Sequence, residues 1–147
     1  MNSPSCGDDP PDWSPVSRVW LLCLFGSSVV IVWLHLLTQE KWVPLLDHAN
    51  LALHEAGHPL VALFSDRLSV YGGTLLQLLF PALFVRHFYR ERQSAGRAFC
   101  EIWLGENFIN VARYMKDARA QVLPLIGGGD HDWTEVFSRW GLLRLYP

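Results

Sequence analysis

The sequence has few charged residues and almost no net charge. Charged side chains make up 18% of its 147 residues, and the formal net charge is −2 at pH 7. A long disordered chain is therefore excluded, because disorder requires low hydrophobicity together with high net charge. The absence of an overall positive field also argues against nucleic-acid binding, so we expect no nucleic-acid partner.

Cysteine is scarce as well. The three cysteines, Cys6, Cys23 and Cys100, are widely separated, and none of them belongs to a CxxC pair. This spacing suggests neither a disulfide framework nor a cysteine-based zinc site. We therefore expect the three cysteine side chains to have structural roles only.

Apolar and aromatic residues, in contrast, are abundant. Half of the residues are hydrophobic, seven are tryptophan, and the mean hydropathy is +0.15. Residues 19–37 form an uncharged run of 19 residues, and about 20 apolar residues span the hydrocarbon core of a bilayer. Tryptophan is also typical of membrane interfaces. These features predict an integral membrane protein that crosses the bilayer more than once.

Composition divides the chain into two parts. Residues 1–17 contain four of the nine prolines and three aspartates, which predicts a disordered, acidic, proline-rich arm. Residues 18–147 are predicted to form one helical domain. After the first span, helices are predicted over residues 49–64, 74–85 with its flanking residues, 98–121 and 133–145. The expected fold is all-α, a small helical membrane protein with about three to four hydrophobic helices.

Short local patterns predict where these helices begin or approach one another. Asp47 is a suitable N-cap for the second helix. Asp132 and Glu135 have the spacing of a capping box for the last helix. Gly72 and Gly73 mark either a turn or a place where two backbone segments approach closely.

The segment from His54 to His58 reads His-Glu-Ala-Gly-His, an HExxH motif on a predicted helix. Histidines four residues apart share one helix face, so both imidazoles can bind a single zinc ion. Glu55 can then take a proton from a zinc-bound water, whose pKa the metal lowers to about 7. Ionisable groups in an apolar helix are costly and therefore indicate function. The alternative is a pair of solvated or hydrogen-bonded core histidines.

A third zinc ligand is expected from the segment Gly127–Gly129 and the three residues after it. His131 is the first choice, and Asp130 or Asp132 is the alternative, either as ligand or as a partner that orients an imidazole. The segment could also be a glycine turn that leads into a helix cap at Asp132.

A less favoured source of the third ligand is Glu106 with Asn110, one turn apart on a predicted helix. Those two residues could equally belong to a solvated helix face. The sequence assigns no role to the remaining histidines, which include His35, His48 and His87.

The HExxH motif on a hydrophobic helix, followed by Gly72-Gly73 and a later Gly-Gly-Asp segment, resembles the site-2 protease class of intramembrane zinc metallopeptidases. This resemblance implies zinc bound by His54 and His58, Glu55 as the catalytic base, and a transmembrane or unfolded helical substrate. In that class an Asp in an Asn-x-x-Pro-x-Pro-x-x-Asp-Gly segment is the third ligand. This chain lacks the Asn-Pro pattern, so the third ligand stays open between His131 and the two aspartates.

These observations together predict a membrane-embedded zinc metalloendopeptidase of the HExxH type. A zinc-bound water activated by Glu55 would cleave a peptide bond within or near the bilayer, so the expected partners are a protein or peptide substrate and lipid. One alternative is a non-catalytic membrane protein with a structural metal site or a helix-packing role. A second alternative is a soluble helical metallopeptidase whose first apolar run is a buried helix.

Overall fold

The computed structural model describes residues 12–38, 41–123 and 130–144. Within these ranges the chain forms helices joined by short turns and contains no strand, which confirms the predicted all-α class. The helices are α1 (Arg18–Leu37), α2 (Leu46–Ala62), α3 (Ser69–Arg90), α4 (Ser94–Asp117) and α5 (Asp132–Arg139), with a 3-10 turn at Asp66–Leu68 before α3.

The helix α1 is apolar and largely uncovered by the rest of the molecule. Ser17 caps it by accepting a hydrogen bond from the Trp20 amide. Its buried residues are Ile31 and His35, and among the described elements α1 packs only against α4. Most of its apolar surface is therefore open to the surroundings.

Two helices in the described part of the chain are long and apolar enough to cross a membrane. They are α1 and the continuous segment Asp66–Arg90 that contains α3. Three to four hydrophobic helices were expected, so the number found is smaller. The helix α2 is short, with 17 residues, and α4 carries charged side chains along its length, among them Arg97, Glu106 and Arg113.

The helices α2 and α3 cross where Gly57 of α2 meets Gly72 of α3. A Cβ atom added to Gly57 would collide with the backbone of Gly72, and a Cβ added to Gly72 would collide with the backbone of Gly57. Gly72 and Gly73 lie inside α3 and not in a turn. Of the two roles predicted for this glycine pair, close backbone approach is therefore confirmed.

The beginning of α5 differs from the predicted capping box. His131 occupies the N-cap position, and its Nδ1 accepts a hydrogen bond from the Thr134 amide at 3.4 Å. The side chain of Asp132 is thus not used as a cap. The helix ends at Arg139, six residues before the predicted end, and its Val136 and Phe137 pack against Ala118 after α4.

The predicted N-cap at Asp47 is also wrong. Leu45 occupies the N-cap position of α2 and makes no side-chain capping hydrogen bond. The Asp47 carboxylate accepts hydrogen bonds from the Val43 amide and from the Asn110 side chain instead. Asp47 is 1% exposed, so this aspartate belongs to the polar interior of the bundle.

Part of the N-terminal arm lies within the described residues. Ser14 pairs with the turn between α3 and α4, where its backbone amide donates to the Arg92 carbonyl at 2.8 Å. The Trp13 ring packs edge-on against Tyr89, with ring centroids 5.4 Å apart. Residues 1–11 of the predicted disordered arm lie outside the described residues, as does Cys6, whereas Cys23 and Cys100 are both free thiols.

Candidate metal centre

Three side chains from two helices converge beside the crossing of α2 and α3. His54 and His58 project from α2, and Asp132 comes from the first turn of α5. The Asp132 Oδ2 atom lies 2.8 Å from His54 Nε2 and 3.3 Å from His58 Nε2. Histidine, cysteine, aspartate and glutamate are the side chains that commonly bind metal ions. Among the described residues, this is the one group of three of them whose ligand atoms all lie within 4.8 Å of one another.

The hydrogen bonds on the far side of each imidazole define which nitrogen faces the cluster. His54 Nδ1 lies 3.1 Å from the Gln77 Oε1 atom, and His58 Nδ1 lies 3.0 Å from the Ser69 carbonyl oxygen. Both oxygens are acceptors, so each Nδ1 carries the hydrogen. The two Nε2 lone pairs and the Asp132 carboxylate therefore face one another, and these three side chains could together hold a metal ion.

The backbone of α3 closes one side of this cluster. A Cβ atom on Gly73 would lie 2.6 Å from His54 Nε2 and 2.7 Å from His58 Nε2, so no side chain fits there. On the other side the cluster opens into a cavity of about 620 Å³. The cavity walls include Trp42, Glu55, Arg113, Tyr114, Asp130 and Arg139.

A hydrogen-bonded chain of Gln77, Asn110 and Asp47 supports His54 on the side away from Asp132. Gln77 Nε2 donates to Asn110 Oδ1 at 3.3 Å, and Asn110 Nδ2 donates to Asp47 Oδ1 at 2.5 Å. Gln77 is 3% exposed. Sequence reasoning did not assign Gln77 to the site, although a single glutamine in an otherwise apolar run is the pattern that could have identified it.

Glu55 lines the cavity beside the cluster and is solvent-exposed. Among the described residues it takes part in none of the side-chain hydrogen bonds or ion pairs. An unpaired carboxylate next to a candidate metal site is available to accept a proton from water.

The structure brings Asp132, one of the predicted alternatives, to the two imidazoles, and it does not bring His131 there. His131 is 2% exposed and points away, with Nε2 3.5 Å from the Asp117 carboxylate. Burial lowers its pKa below the ordinary histidine value. Asp130 lines the cavity but is not part of the cluster, and residues 127–129 lie outside the described residues.

Glu106 and Asn110, the less favoured source of a ligand, are also placed elsewhere. Glu106 accepts a hydrogen bond from Asn50 at 2.6 Å, and its other oxygen lies 3.4 Å from His35 Nε2. Burial, with a smaller effect of the Asp47 charge, raises the pKa of Glu106 to about 7. Glu106 is therefore not part of the His54–His58–Asp132 group, and Asn110 is linked to His54 through Gln77.

Tyr114 is a further residue of this site that the sequence did not indicate. Its hydroxyl oxygen accepts a hydrogen bond from the Asp132 amide at 3.3 Å. The Tyr114 ring lies edge-on to His54, with centroids 5.7 Å apart. Burial and then the Asp132 charge raise the pKa of Tyr114 to about 12, so the phenol keeps its proton at neutral pH.

Comparison with known proteins gives no match to a protein-family model, to a curated protein or to a solved structure. The site is therefore interpreted from its own chemistry.

Proposed function

We propose that this chain is a multi-pass membrane protein that binds zinc through His54, His58 and Asp132 and hydrolyses peptide bonds. The observation that carries the proposal is the meeting of two imidazole Nε2 atoms and one carboxylate oxygen at 2.8 and 3.3 Å. Each imidazole already uses its Nδ1 hydrogen elsewhere, so the atoms that face one another are all acceptors.

The donor set favours zinc over other common cations. Two imidazole nitrogens and one carboxylate oxygen are typical of catalytic zinc, which keeps a fourth position open for water or substrate. Magnesium and calcium prefer oxygen ligands. The cavity beside the cluster gives a substrate access to that open position. When bound there, zinc would polarise the substrate carbonyl and lower the pKa of a coordinated water.

The role proposed for Glu55 follows from its free carboxylate. Glu55 takes one proton from the attacking water as the water oxygen bonds to the carbonyl carbon. The carbon–nitrogen bond then breaks, and Glu55 passes the proton to the leaving amine. One water is consumed, and the products are a carboxylic acid and an amine.

The membrane location rests on the exposed apolar surface of the two long helices. In α1, Leu22, Phe25, Leu36 and Leu37 are each more than 70% exposed. Such a continuous apolar surface indicates contact with lipid, because soluble proteins rarely expose large apolar patches. The site lies beside α3, so the proposed substrate is a protein or peptide segment within or next to the bilayer.

A structural metal site is the second candidate function. The helices α2 and α5 do not otherwise pack against each other in the described ranges. A metal ion held by His54, His58 and Asp132 would join them, and this would stabilise the bundle without any hydrolysis.

Metal content measured by mass spectrometry tests the proposal first. The detergent-purified full chain should contain about one zinc per chain, and His54→Ala/His58→Ala should contain none. His48→Ala is the matched control, since His48 lies exposed on the same helix, away from the cluster. Absence of metal from the unaltered protein would contradict both candidate functions.

A hydrolysis assay with β-casein, an unfolded protein, then distinguishes the two functions. The zinc-loaded chain should cleave casein, and Glu55→Gln should retain zinc while losing at least ~100-fold in rate. Equal rates for the unaltered protein and Glu55→Gln would contradict the catalytic role of Glu55. Zinc binding without any cleavage would favour the structural site.

A further inference from the structure

The Tyr114 hydroxyl is attached to the candidate metal centre through Asp132. One Asp132 carboxylate oxygen faces both imidazoles, and the backbone amide of the same residue donates to the Tyr114 oxygen. That hydrogen bond uses a lone pair of the phenol and leaves its hydrogen unused. Among the described residues, no acceptor is found for this hydrogen.

The phenol ring is held firmly on both sides. Its plane lies against His131, with ring centroids 4.1 Å apart and an angle of 30° between the planes. Its edge meets His54. Because His131 is buried and also caps α5, the tyrosine has a fixed support, and Tyr114 lines the cavity that Glu55 and His58 also line.

The two arginines that line the cavity each give part of their hydrogen-bonding capacity to protein acceptors. Arg139 donates to Glu135 and to the Arg67 carbonyl, and Arg113 donates to the Lys41 carbonyl at 2.7 Å. These bonds direct both guanidinium groups towards protein acceptors. The Tyr114 hydroxyl, whose oxygen is held by the Asp132 amide, is a fixed donor in this cavity whose hydrogen remains available for a substrate.

We infer that Tyr114 is a catalytic residue whose hydroxyl donates a hydrogen bond to the oxygen of the scissile carbonyl. The inference rests on the proposed peptide hydrolysis. Negative charge develops on that oxygen when water adds to the carbonyl carbon, and a fixed donor stabilises the charge better than it stabilises the neutral substrate. The proton stays on the tyrosine throughout, so the balance of the hydrolysis is unchanged.

The test compares Tyr114→Phe with Tyr89→Phe. Both changes remove one hydroxyl and keep the ring. Tyr89 lies near the C-terminal end of α3, whereas Gly73, which contacts the two histidines, lies near its N-terminal end. Each full-length protein is loaded with Co²⁺ in detergent, and acetohydroxamate binding is followed by the visible absorption of the metal. The Tyr114→Phe protein should bind cobalt normally but bind acetohydroxamate ~10-fold or more weakly, because the oxygen of the bound anion loses a donor. Casein cleavage by the zinc-loaded form should fall ~100-fold in kcat with little change in KM.

The outcomes separate this inference from the proposed function. Equal acetohydroxamate affinity in the unaltered protein and Tyr114→Phe would overturn the assignment of Tyr114 alone. An equal loss of affinity in Tyr89→Phe would also overturn it, because the effect would not depend on position. Loss of cobalt from Tyr114→Phe would show that the residue supports the metal instead. Cobalt binding without any probe binding in the unaltered protein would contradict the hydrolase itself.

Discussion

Of the histidine–carboxylate contacts in the described part of the chain, one cluster lies beside a cavity and another is sealed between helices. In the open cluster, the side chains of His54 and His58 are 10% and 26% exposed and face Asp132. In the sealed cluster, His35 on α1 and Glu106 on α4 are 5% and 0% exposed, with Nε2 and Oε1 3.4 Å apart. The residue types are similar, but their surroundings differ.

The difference between the clusters is the number of acceptors that face one another. The open cluster has three, since both Nδ1 hydrogens bond to Gln77 and Ser69. In the sealed cluster, neither nitrogen of His35 has another hydrogen-bond partner among the described residues. One proton shared between His35 and Glu106 is enough there. The open cluster therefore offers three ligand atoms that could hold a metal ion, whereas in the sealed cluster one proton can join His35 on α1 to Glu106 on α4.

Removal of the carboxylate from the open cluster should have the largest effect. We expect Asp132→Ala to weaken zinc binding by ~1000-fold or more, because it removes one of three protein ligands. Asp130→Ala should bind zinc like the unaltered protein, since Asp130 lies in the same cavity but outside the cluster. Competition with a fluorescent zinc chelator measures both affinities. Similar losses in the two variants would contradict the assignment of Asp132 as the ligand.

A smaller loss of zinc affinity is expected when the hydrogen bond between Gln77 and His54 is removed. Gln77→Leu keeps the size of the side chain but removes the acceptor for Nδ1–H, so the imidazole loses its fixed orientation. Zinc affinity should fall ~10- to 100-fold, which is typical when such a supporting hydrogen bond is lost. Gln93→Leu, on the turn before α4, is the matched control. An unchanged affinity in Gln77→Leu would show that Ser69 and the α2 backbone position the histidines without it.

The sealed cluster predicts a dependence of stability on pH. The pKa of Glu106 is about 7 in the folded protein, above its ordinary value of 4.5. The folded state therefore binds more protons between these values, and the free energy of unfolding should fall as pH rises from about 4.5 through about 7. Glu106→Gln should reduce this fall by about 1–2 kcal/mol between pH 5 and 7.

Chemical denaturation in detergent with a chelator present measures that effect without a contribution from bound metal. Glu101→Gln is the control, because Glu101 is exposed on the same helix and pairs with Arg97. If both variants keep the pH dependence of the unaltered protein, then His35, Asp47 or another group causes it and Glu106 does not.

The sequence predicted the all-α class, the first long apolar helix and the HExxH helix because local composition and periodicity determine them. It also identified the segment that reaches the histidines. It did not predict which residue of that segment faces them, because His131 and Asp132 are adjacent and both suit either role. The choice depends on tertiary packing, since His131 fits between Tyr114 and Asp117. Gln77 and Tyr114 join the site through contacts with residues at least 18 positions away in the chain.

His131→Asn tests whether Asp132 is the ligand and His131 the cap of α5, the reverse of the roles predicted from the sequence. Of the four variants it should have the smallest effect on zinc binding and stability. Asparagine is a good N-cap, so the variant keeps the cap of α5 and loses the ring that packs against Tyr114. We expect a loss of about 1 kcal/mol in the free energy of unfolding and no change in the zinc affinity of the folded protein. If His131→Asn instead loses zinc as completely as Asp132→Ala, then His131 turns towards the metal when zinc is bound. Loss of zinc in Asp132→Ala but not in His131→Asn therefore identifies Asp132 as the ligand and leaves His131 as the N-cap of α5.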